Sequence, residues 1–498
     1  MLIGAYGTSF RYVNGRFSPV IGRAHPLFLS VPYTREATSR REGGAVHDKH
    51  VVTSFGGYVY EAGIVGVIGL GYVGLPLAMA CIRSGLQVIG IEIDERKLQL
   101  LKDGKSYIQD ISDDELAAAV RSGQLLATSD YDQLMGAGSI VICVPTPLTE
   151  EHTPDVSFIT NTCVQLRNVL QPGQLVVVES TTYPGTTREL VQPMLEQGGL
   201  RAGVHFHLAY SPERIDPGNH IHQLQDVPKI VSGTSSDCLM RVQELYGRIF
   251  QHVVPVSSTD IAEAAKLLEN SFRLINISFI NEFAKLCDEL QLNIWEVIEA
   301  ASTKPYGFMP FQPGPGIGGH CIPVDPLYLQ WSARRSGTES RFIELSHHTN
   351  ETMPRYIVNR IARLLGPDRT LSGASVLLIG IAYKKNIADM RESSALTLIR
   401  LLQQAGADVS YYDPYVPSVR IGTSVIHSLD LTDEVLSAAD CTVIHTDHAD
   451  LPIERIVEKA AVLYDARNAT RGLTSRGKLE RLGGGSRASI ESRQQVSE

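Results

Sequence analysis

The sequence predicts an α/β protein with two doubly wound Rossmann-like domains, joined by a long central helix and a helical middle domain. A buried-strand pattern at residues 64–68 opens a series of strand–helix units, and residues 369–482 repeat that alternation more weakly. Between them, the stretch from 257 to about 290 keeps helical apolar spacing without Gly or Pro. Alternating strands and helices indicate parallel sheets, and an uninterrupted helical pattern indicates one long helix.

Composition excludes several functional classes. The 498 residues suffice for roughly three domains, and 43% hydrophobic residues are ordinary for a globular enzyme. A net charge of -9 argues against nucleic acid as a partner, and no apolar run is long enough to span a membrane. The seven cysteines show no paired or zinc-like spacing. We therefore expect a cytoplasmic protein with neither disulfides nor a metal centre.

Pattern changes along the chain suggest five segments. Residues 1–60 show no sustained period and are predicted to be a disordered extension, with a functional basic arm or a start placed too far upstream as alternatives. The first α/β domain is expected over 61–256, the helical middle domain over 257–368 and the second α/β domain over 369–482. The polar segment 483–498 is predicted to be a disordered tail.

A glycine-rich turn follows the first strand of the first α/β domain. It reads Gly69-Leu70-Gly71-Tyr72-Val73-Gly74 and is followed by a helix and a second strand that ends near Glu92, which is the dinucleotide-binding fingerprint. The first glycine permits the tight turn, the second lets the pyrophosphate approach, and the third allows close helix packing. Glu92 would accept hydrogen bonds from the adenosine ribose and repel a 2′-phosphate, so we predict NAD rather than NADP.

Three polar residues follow the ends of later predicted strands: Thr146, Thr181 and Glu213. Each alone is more typical of a cap or a turn. Ligands of open α/β sheets bind at these strand ends, so the three together indicate a site. The predicted cofactor-contacting residues are Gly69, Gly71, Tyr72, Val73, Gly74, Glu92, Arg96, Thr146 and Thr181.

The loop at 316–326 carries the strongest chemical signal. Its Gly and Pro content excludes a regular helix or strand, and it places Cys321 after Gly318, Gly319 and His320 and four residues before Asp325. Glycines allow close backbone approach to a reacting group, and a cysteine can serve as nucleophile. An ordinary buried cysteine in a turn is the alternative. Lys266 and Asn270 share one face of the central helix, either at this site or as a solvated stripe.

Taken together, the motifs resemble the UDP-sugar 6-dehydrogenases over residues 64–482. The shared motifs are GxGxxGLP at 69–76, Val-Pro-Thr-Pro at 144–147, Ser-Pro-Glu at 211–213, Lys-xxx-Asn at 266–270, Gly-Gly-His-Cys at 318–321, Lys-xxxx-Asp-x-Arg-Glu-Ser at 384–393 and Asp-Ala-Arg-Asn at 465–468. The resemblance implies oxidation of C6 of a UDP-sugar to a carboxylate with two NAD. The long central helix suggests a homodimer or a larger homo-oligomer.

The resemblance also implies roles for individual residues. Cys321 would be the nucleophile, with His320, Lys266 and nearby backbone N–H groups favouring its thiolate. Lys266 and Asn270 would stabilise the oxyanion, and Asp325 would move protons together with Lys266. Thr146 and Glu213 would hold the water and the sugar. The implied substrate-binding residues are Glu213, Arg214, Lys266, Asn270, Gly318, His320, Arg341, Tyr383, Lys384 and Arg467.

The sequence departs from the family pattern at one position. Pro217 stands where UDP-glucose enzymes usually carry a second glutamate, so Glu213, Asp216 or a water on Asp325 would have to act in thioester hydrolysis.

Three residues resemble one branch of the family. His320, Pro323 and Arg341 resemble the branch acting on UDP-N-acetylhexosamines, and within it the UDP-N-acetylglucosamine 6-dehydrogenases of bacterial surface polysaccharide synthesis, such as capsule or lipopolysaccharide. Arg341 would then bind the acetamido carbonyl, or form a structural ion pair. Alternatives are UDP-glucose or UDP-N-acetylmannosamine oxidation, and a non-catalytic nucleotide-sugar-binding protein.

Overall fold

The computed structural model describes residues 63–485, except 109, 150 and 215–223, and the backbone of the strands before residue 63. The chain forms two compact units, 1–49 and 50–498. In the first unit, strands β1 (Phe10–Val13) and β2 (Arg16–Pro19) pair antiparallel. The prediction of a disordered extension over 1–60 falls largely outside the described residues and did not include these strands.

The second unit begins with a nine-stranded sheet, eight of whose strands follow the order β11-β10-β9-β8-β7-β4-β5-β6, with β3 paired to β4. Most neighbours are parallel, but β10 runs antiparallel to β9 and β3 antiparallel to β4. The sequence indicated β4, β5, β7, β8 and β9 and missed the others. The strands are β3 (Val52–Phe55), β4 (Tyr58–Ile68), β5 (Gln87–Ile91), β6 (Leu125–Thr128), β7 (Ala137–Ile142), β8 (Leu175–Val178), β9 (His207–Tyr210), β10 (Lys229–Gly233) and β11 (Val253–Pro255).

Helices cover both faces of this sheet. Alternate residues of β8 point to opposite sides, with Val177 in one apolar cluster and Val176 and Val178 in another. Both clusters are closed by helices, which makes the domain doubly wound. The helices are α1 (Gly74–Arg83), α2 (Glu95–Lys102), α3 (Asp113–Arg121), α4 (Ser157–Val169), α5 (Gln192–Glu196) and α6 (Ser236–Tyr246), with a π-helical turn at Thr187–Val191 and 3-10 turns at Tyr131–Gly136 and Leu224–Asp226.

The middle region is helical, as predicted. Its helices are α7 (Thr259–Leu290), α8 (Ile294–Ser302), α9 (Asp325–Arg335) and α10 (Arg341–Leu365). The hydroxyl of Ser258 caps α7 by accepting a hydrogen bond from the Ile261 amide. The sequence pattern predicts a helix from about residue 355 to residue 365, but α10 starts well before that range and includes Pro354.

A second, all-parallel sheet follows, in the order β13-β12-β16-β17-β18, which confirms the second Rossmann-like fold. Residues 483–485, assigned to the disordered tail, pack on α8: the Ile294 amide donates to Gly483 O at 2.8 Å. Residues 486–498 lie outside the described chain. The elements are β12 (Ser375–Ile379), α11 (Ser394–Gln404), β13 (Asp408–Tyr412), the hairpin β14 (Ser418–Ile421) and β15 (Ser424–His427), α12 (Asp433–Ala438), β16 (Cys441–Ile444), α13 (Ile453–Lys459), β17 (Val462–Asp465) and β18 (Lys478–Arg481).

No helix in the described part of the chain combines the length and apolarity that a bilayer crossing requires.

Candidate active site

The glycine-rich turn after β4 has the geometry that its sequence predicts. Gly69 has φ +90°, and a Cβ there would lie 2.7 Å from Cys143 O. A Cβ on Gly74 would lie 1.8 Å from Gly69 O, so helix and turn approach as closely as a glycine allows. A Cβ on Gly71 would meet no atom within 4 Å. The space above Gly71 is therefore open to a ligand.

The start of α1 suits a diphosphate. Its N-cap residue, Val73, supplies no side-chain hydrogen bond, whereas α2, α3 and α6 are capped by Asp94, Ser112 and Ser235. Uncapped first-turn N–H groups form a natural anion site. Nearby, the buried Glu92 carboxylate is held by the amides of Leu70 at 3.3 Å and Ile93 at 2.9 Å. These residues fit a dinucleotide with an unphosphorylated ribose.

The other predicted cofactor residues differ in placement. The ring of Tyr72 lies on the surface of the turn, with the Arg391 guanidinium 4.8 Å from its centroid. Thr146 is buried and Thr181 partly buried, both just beyond strand ends. Arg96 is highly exposed on α2, and among the described residues its side chain forms polar contacts with Asp94 alone, with Nε 3.4 Å from Oδ1. Arg96 therefore stays an unsupported prediction.

Four predicted catalytic residues converge where α7 meets α9. Lys266 and Asn270 are buried on one face of α7. Asn270 Nδ2 donates to Asp325 Oδ2 at 2.5 Å, and the Asp325 amide donates to Cys321 O at 2.8 Å. The Lys266 and Asp325 charges both act on the Cys321 thiol. The solvated-stripe interpretation of Lys266 and Asn270 is therefore wrong.

Cys321 is exposed, whereas the other six cysteines are buried. Surrounding protein atoms and the Asp325 carboxylate raise the pKa of the Cys321 thiol to about 11, against the opposing effect of Lys266. Lys266 favours the thiolate as expected, but burial and Asp325 outweigh its effect, so the thiol form of Cys321 predominates at neutral pH. Burial and Arg391 also lower the pKa of His320, so that imidazole is neutral near pH 7.

Asp325 has a pKa suited to proton transfer. Complete burial raises it to about 6, although the Lys266 charge and the Asn270 hydrogen bond lower it. At neutral pH this group is mostly a carboxylate that can accept a proton. Because Cys321 is mostly a thiol, it must lose its proton as it attacks, and the adjacent carboxylate is a suitable acceptor.

The Ser211–Arg214 segment brings another carboxylate near Cys321. Glu213 is buried and its charge acts on Cys321. Arg214, predicted to bind substrate, is instead paired with Glu269 of α7, with Nη2 2.8 Å from Oε1 and Nε 3.3 Å from Oε2. Its Nη1 also donates to Pro228 O at 2.7 Å. Arg214 therefore fastens the segment to α7. Asp216 and Pro217 lie outside the described residues.

The last domain closes over the nucleophile loop. A Cβ on Gly318 would lie 2.7 Å from Tyr383 Cβ, and the Gly319 amide donates to Arg391 O at 2.9 Å. Lys384 follows on the same segment and is partly buried. Segment 381–393 thus packs directly against the catalytic loop.

Two further predicted substrate residues are separated by the fold. Arg467 is partly buried; its Nε donates to His445 O at 2.9 Å, and a Cβ on Gly314 would lie 2.6 Å from its Nη1. Arg341 is exposed at the start of α10, and its side chain forms no hydrogen bond or ion pair with the described residues. The structure thus places Arg467 against the loop that precedes Cys321 and leaves Arg341 on the surface.

Sequence reasoning missed a buried charged group beneath the strand ends. Lys229 Nζ lies 2.9 Å from Glu179 Oε1 and 3.5 Å from Pro212 O, and the Tyr246 hydroxyl donates to Glu179. This group supports the backbone next to Glu213. A carboxylate directly after the apolar run of β8 was the one available signal for it. Across the described residues, no cluster of three or more metal-ligating side chains occurs.

An open dinucleotide turn in one domain, together with a thiol, a carboxylate and an ammonium group gathered at the central helices, indicates a nicotinamide-dependent dehydrogenase. The sequence matches three family models, described as the NAD binding, central and UDP binding domains of the UDP-glucose/GDP-mannose dehydrogenase family, over residues 64–250, 260–352 and 377–472. The chain belongs to this family and is an NAD-dependent UDP-sugar dehydrogenase. The predicted family and the NAD cofactor are confirmed.

Known relatives cover most of the chain. Over 390 residues it is 35% identical to protein CapL of Staphylococcus aureus, covering 78% of this chain and 90% of that one. It is 36% identical over 355 residues to UDP-N-acetyl-D-glucosamine 6-dehydrogenase of Pseudomonas aeruginosa, covering 71% and 83%. The solved UDP-N-acetyl-D-mannosamine dehydrogenase of Pyrococcus horikoshii superposes with a TM-score of 0.78 at 32% identity, covering 85% of this chain and 99% of that one.

Proposed function

We propose that the protein oxidises C6 of a UDP-N-acetylhexosamine, specifically UDP-N-acetylglucosamine, to the uronic acid. The observation that carries the chemistry is the convergence of Lys266, Asn270 and Asp325 on the accessible Cys321. A binding protein has no need of an exposed nucleophile beside a proton acceptor. A non-catalytic nucleotide-sugar-binding role is therefore disfavoured.

The first oxidation converts the C6 alcohol into an aldehyde. The glycine turn and the start of α1 would hold NAD, which would supply the hydride acceptor. Asp325, acting with Lys266, takes the hydroxyl proton, because its pKa of about 6 leaves it ionised at neutral pH. Lys266 Nζ and Asn270 Nδ2 stabilise the negative charge that develops on the C6 oxygen.

The second oxidation uses the thiol. After Asp325 has released the first proton to water, Cys321 Sγ bonds to the aldehyde carbon while the thiol proton passes to the Asp325 carboxylate, giving a thiohemiacetal alkoxide that Lys266 and Asn270 stabilise. Loss of a second hydride to NAD gives a thioester, and water then releases the carboxylate and restores the thiol. Glu213 and Asp325 both lie near Cys321 and are the candidates for activating that water.

The choice of sugar is supported by the likeness to a named relative and by the position of His320. The Pseudomonas aeruginosa relative carries the UDP-N-acetyl-D-glucosamine name at 36% identity. His320 is partly buried next to the nucleophile, where it can contact the sugar. UDP-N-acetylmannosamine is the second candidate, because the Pyrococcus horikoshii and Methanococcus maripaludis relatives, 33% and 31% identical, are UDP-N-acetyl-D-mannosamine dehydrogenases.

A panel of UDP-sugars tests this choice. Equal concentrations of UDP-N-acetylglucosamine, UDP-N-acetylmannosamine, UDP-N-acetylgalactosamine and UDP-glucose are incubated with NAD while NADH absorbance is followed. We expect the highest kcat/KM with UDP-N-acetylglucosamine. A preference for UDP-glucose would overturn the assignment to the acetamido branch, and a preference for UDP-N-acetylmannosamine would select the second candidate.

An exposed apolar stripe supports a homodimer. Leu268, Phe279 and Leu290 project from α7 with 68%, 59% and 67% of their surface exposed, beside Phe342 of α10 at 71%. A second copy of the chain would cover them, and purified protein should then sediment at no less than twice the chain mass.

The cysteines and one relative support a cellular setting. Seven unpaired cysteines suit a reducing cytoplasm, and the likeness to CapL suits supply of a uronic acid to surface polysaccharide.

A further inference from the structure

The catalytic groups are carried by two separate parts of the fold. Thr146 and Glu213 follow strands of the first sheet, whereas Asn270 and Asp325 belong to the central helices and Cys321 to the loop before α9. A displacement of about 1 Å between such groups can reduce a rate on the order of 100-fold. Contacts that cross this boundary therefore bear on catalysis as well as on stability.

Tyr328 makes such a contact. It lies on α9 one turn after Asp325, and its side chain is fully buried. Its hydroxyl lies 2.8 Å from Thr146 O and 3.0 Å from Pro147 O. Its ring packs in a cluster with Leu267, the neighbour of Lys266 on α7, so both the ring and the hydroxyl have fixed surroundings.

The segment that Tyr328 holds has few other main-chain attachments. Residues 144–147 read Val-Pro-Thr-Pro, and the two prolines have no N–H to donate. Its first carbonyl, Val144 O, accepts a hydrogen bond from the Ser180 hydroxyl at 2.7 Å, within the same domain. The Tyr328 hydroxyl faces its last two carbonyls, of which Pro147 O also accepts a hydrogen bond from the Asp155 amide at 2.9 Å. The first domain thus holds the segment at Val144 O and at Pro147 O, and α9 adds the contact to Thr146 O between them.

We infer that Tyr328 is a positioning residue, whose hydroxyl sets the Thr146 main chain relative to Asp325 and Cys321. The inference rests on the proposed function and on the role that the family resemblance implies for Thr146, which is to help hold the water and the sugar. Apolar packing alone does not require the hydroxyl, because phenylalanine would fill the same space.

The test is Tyr328→Phe in the full-length protein. We expect kcat for NADH production to fall about tenfold, with KM values for NAD and the UDP-sugar within about twofold of wild type, because the ring and both binding sites are retained. Tyr411→Phe is the matched control: Tyr411 is also fully buried and its hydroxyl donates to one carbonyl, Val416 O at 3.1 Å, in the last domain. That control should keep wild-type kcat.

A double-mutant cycle separates positioning from general stabilisation. If Tyr328 acts through Thr146, the Tyr328→Phe change should alter kcat less than about twofold in a Thr146→Ala background. The inference would be overturned if the effects of the two substitutions on kcat multiply, or if Tyr328→Phe has the wild-type kcat. Absence of turnover by wild type with every UDP-sugar would instead refute the proposed function.

Discussion

The first and last domains build the same strand–turn–helix–strand unit from different residues. In the first, the Gly69 amide donates to Ile91 O at 2.8 Å, and in the last the Gly380 amide donates to Tyr412 O at 2.8 Å. Both glycines have positive φ, and an acid, Glu92 or Asp413, follows the second strand in each case. The two units are structural repeats.

The repeats differ in how each turn is used. Helix α1 starts five residues after Gly69 and has no side-chain cap, whereas α11 starts at Ser394 and is capped by the Ser393 hydroxyl. The Asp413 carboxylate is already hydrogen-bonded within its own domain, since Oδ2 accepts hydrogen bonds from the Ile381 amide at 2.7 Å and from His448 Nε2 at 3.1 Å. The last domain therefore lacks both the open phosphate site and an available acid.

The longer turn of the last domain serves the catalytic loop. In segment 381–393, the Arg391 carbonyl accepts a hydrogen bond from the Gly319 amide. The Arg391 guanidinium lies over the ring of Tyr72 in the first domain. The turn of the first domain is open to NAD, whereas the turn of the last domain contacts the loop that carries Cys321. This difference is open to direct tests.

The largest expected effect is on the open turn. Gly71→Ala should weaken NAD binding on the order of 10- to 100-fold, because the added methyl occupies the space that the pyrophosphate needs, while the melting temperature stays near wild type. Gly136→Ala is the control, since a Cβ there also meets nothing within 4 Å. Calorimetric titration with NAD measures both, and equal affinities in the two variants would contradict the assignment of the turn.

A smaller effect distinguishes the two acids. Glu92→Gln should raise KM for NAD about tenfold through loss of a charged hydrogen bond to the ribose, with little effect on unfolding. Asp413→Asn should instead lower stability by about 1–3 kcal/mol, because amides and an imidazole that it holds lose an acceptor, and leave KM for NAD unchanged. Kinetics and thermal melting of both variants test the contrast, which fails if each acid affects the same quantity.

The smallest expected effect is a pH dependence at the junction. Because burial raises the pKa of Asp325 to about 6, its basic form is half populated at pH 6, and kcat/KM there should be about half of its plateau above pH 7. Below pH 6 the rate should fall about tenfold per pH unit. An acid limb near pH 4, typical of an exposed aspartate, would show that Asp325 is not the base.

Much of the fold followed from local patterns in the sequence. The apolar run before Gly69 and the unbroken helical pattern of α7 are local signals, so both elements were predicted. Strand β10 was missed because its antiparallel pairing with β9 depends on a partner and leaves no local mark. The early start of α10 was missed because a proline normally favours a helix boundary nearby.

The candidate site divides in the same way. The loop chemistry singled out Cys321, whereas the resemblance to the family supplied the expected roles of Lys266, Asn270 and Asp325. The pairing of Arg214 with Glu269 and the contact of Tyr328 with Thr146 O join residues distant in sequence, so spacing contains no trace of them. The raised pKa of the Cys321 thiol depends on burial and on the nearby Asp325 carboxylate, and only the folded chain defines both.

The most direct test of the central claim is the stoichiometry of oxidation in wild type and in Cys321→Ala. With a limiting amount of the preferred UDP-sugar, wild type should form two NADH and one uronic acid per sugar. Cys321→Ala should form no acid while still binding NAD, because the aldehyde cannot become a thioester without the thiol. Acid formation by Cys321→Ala, or one NADH per sugar in wild type, would contradict covalent catalysis by Cys321.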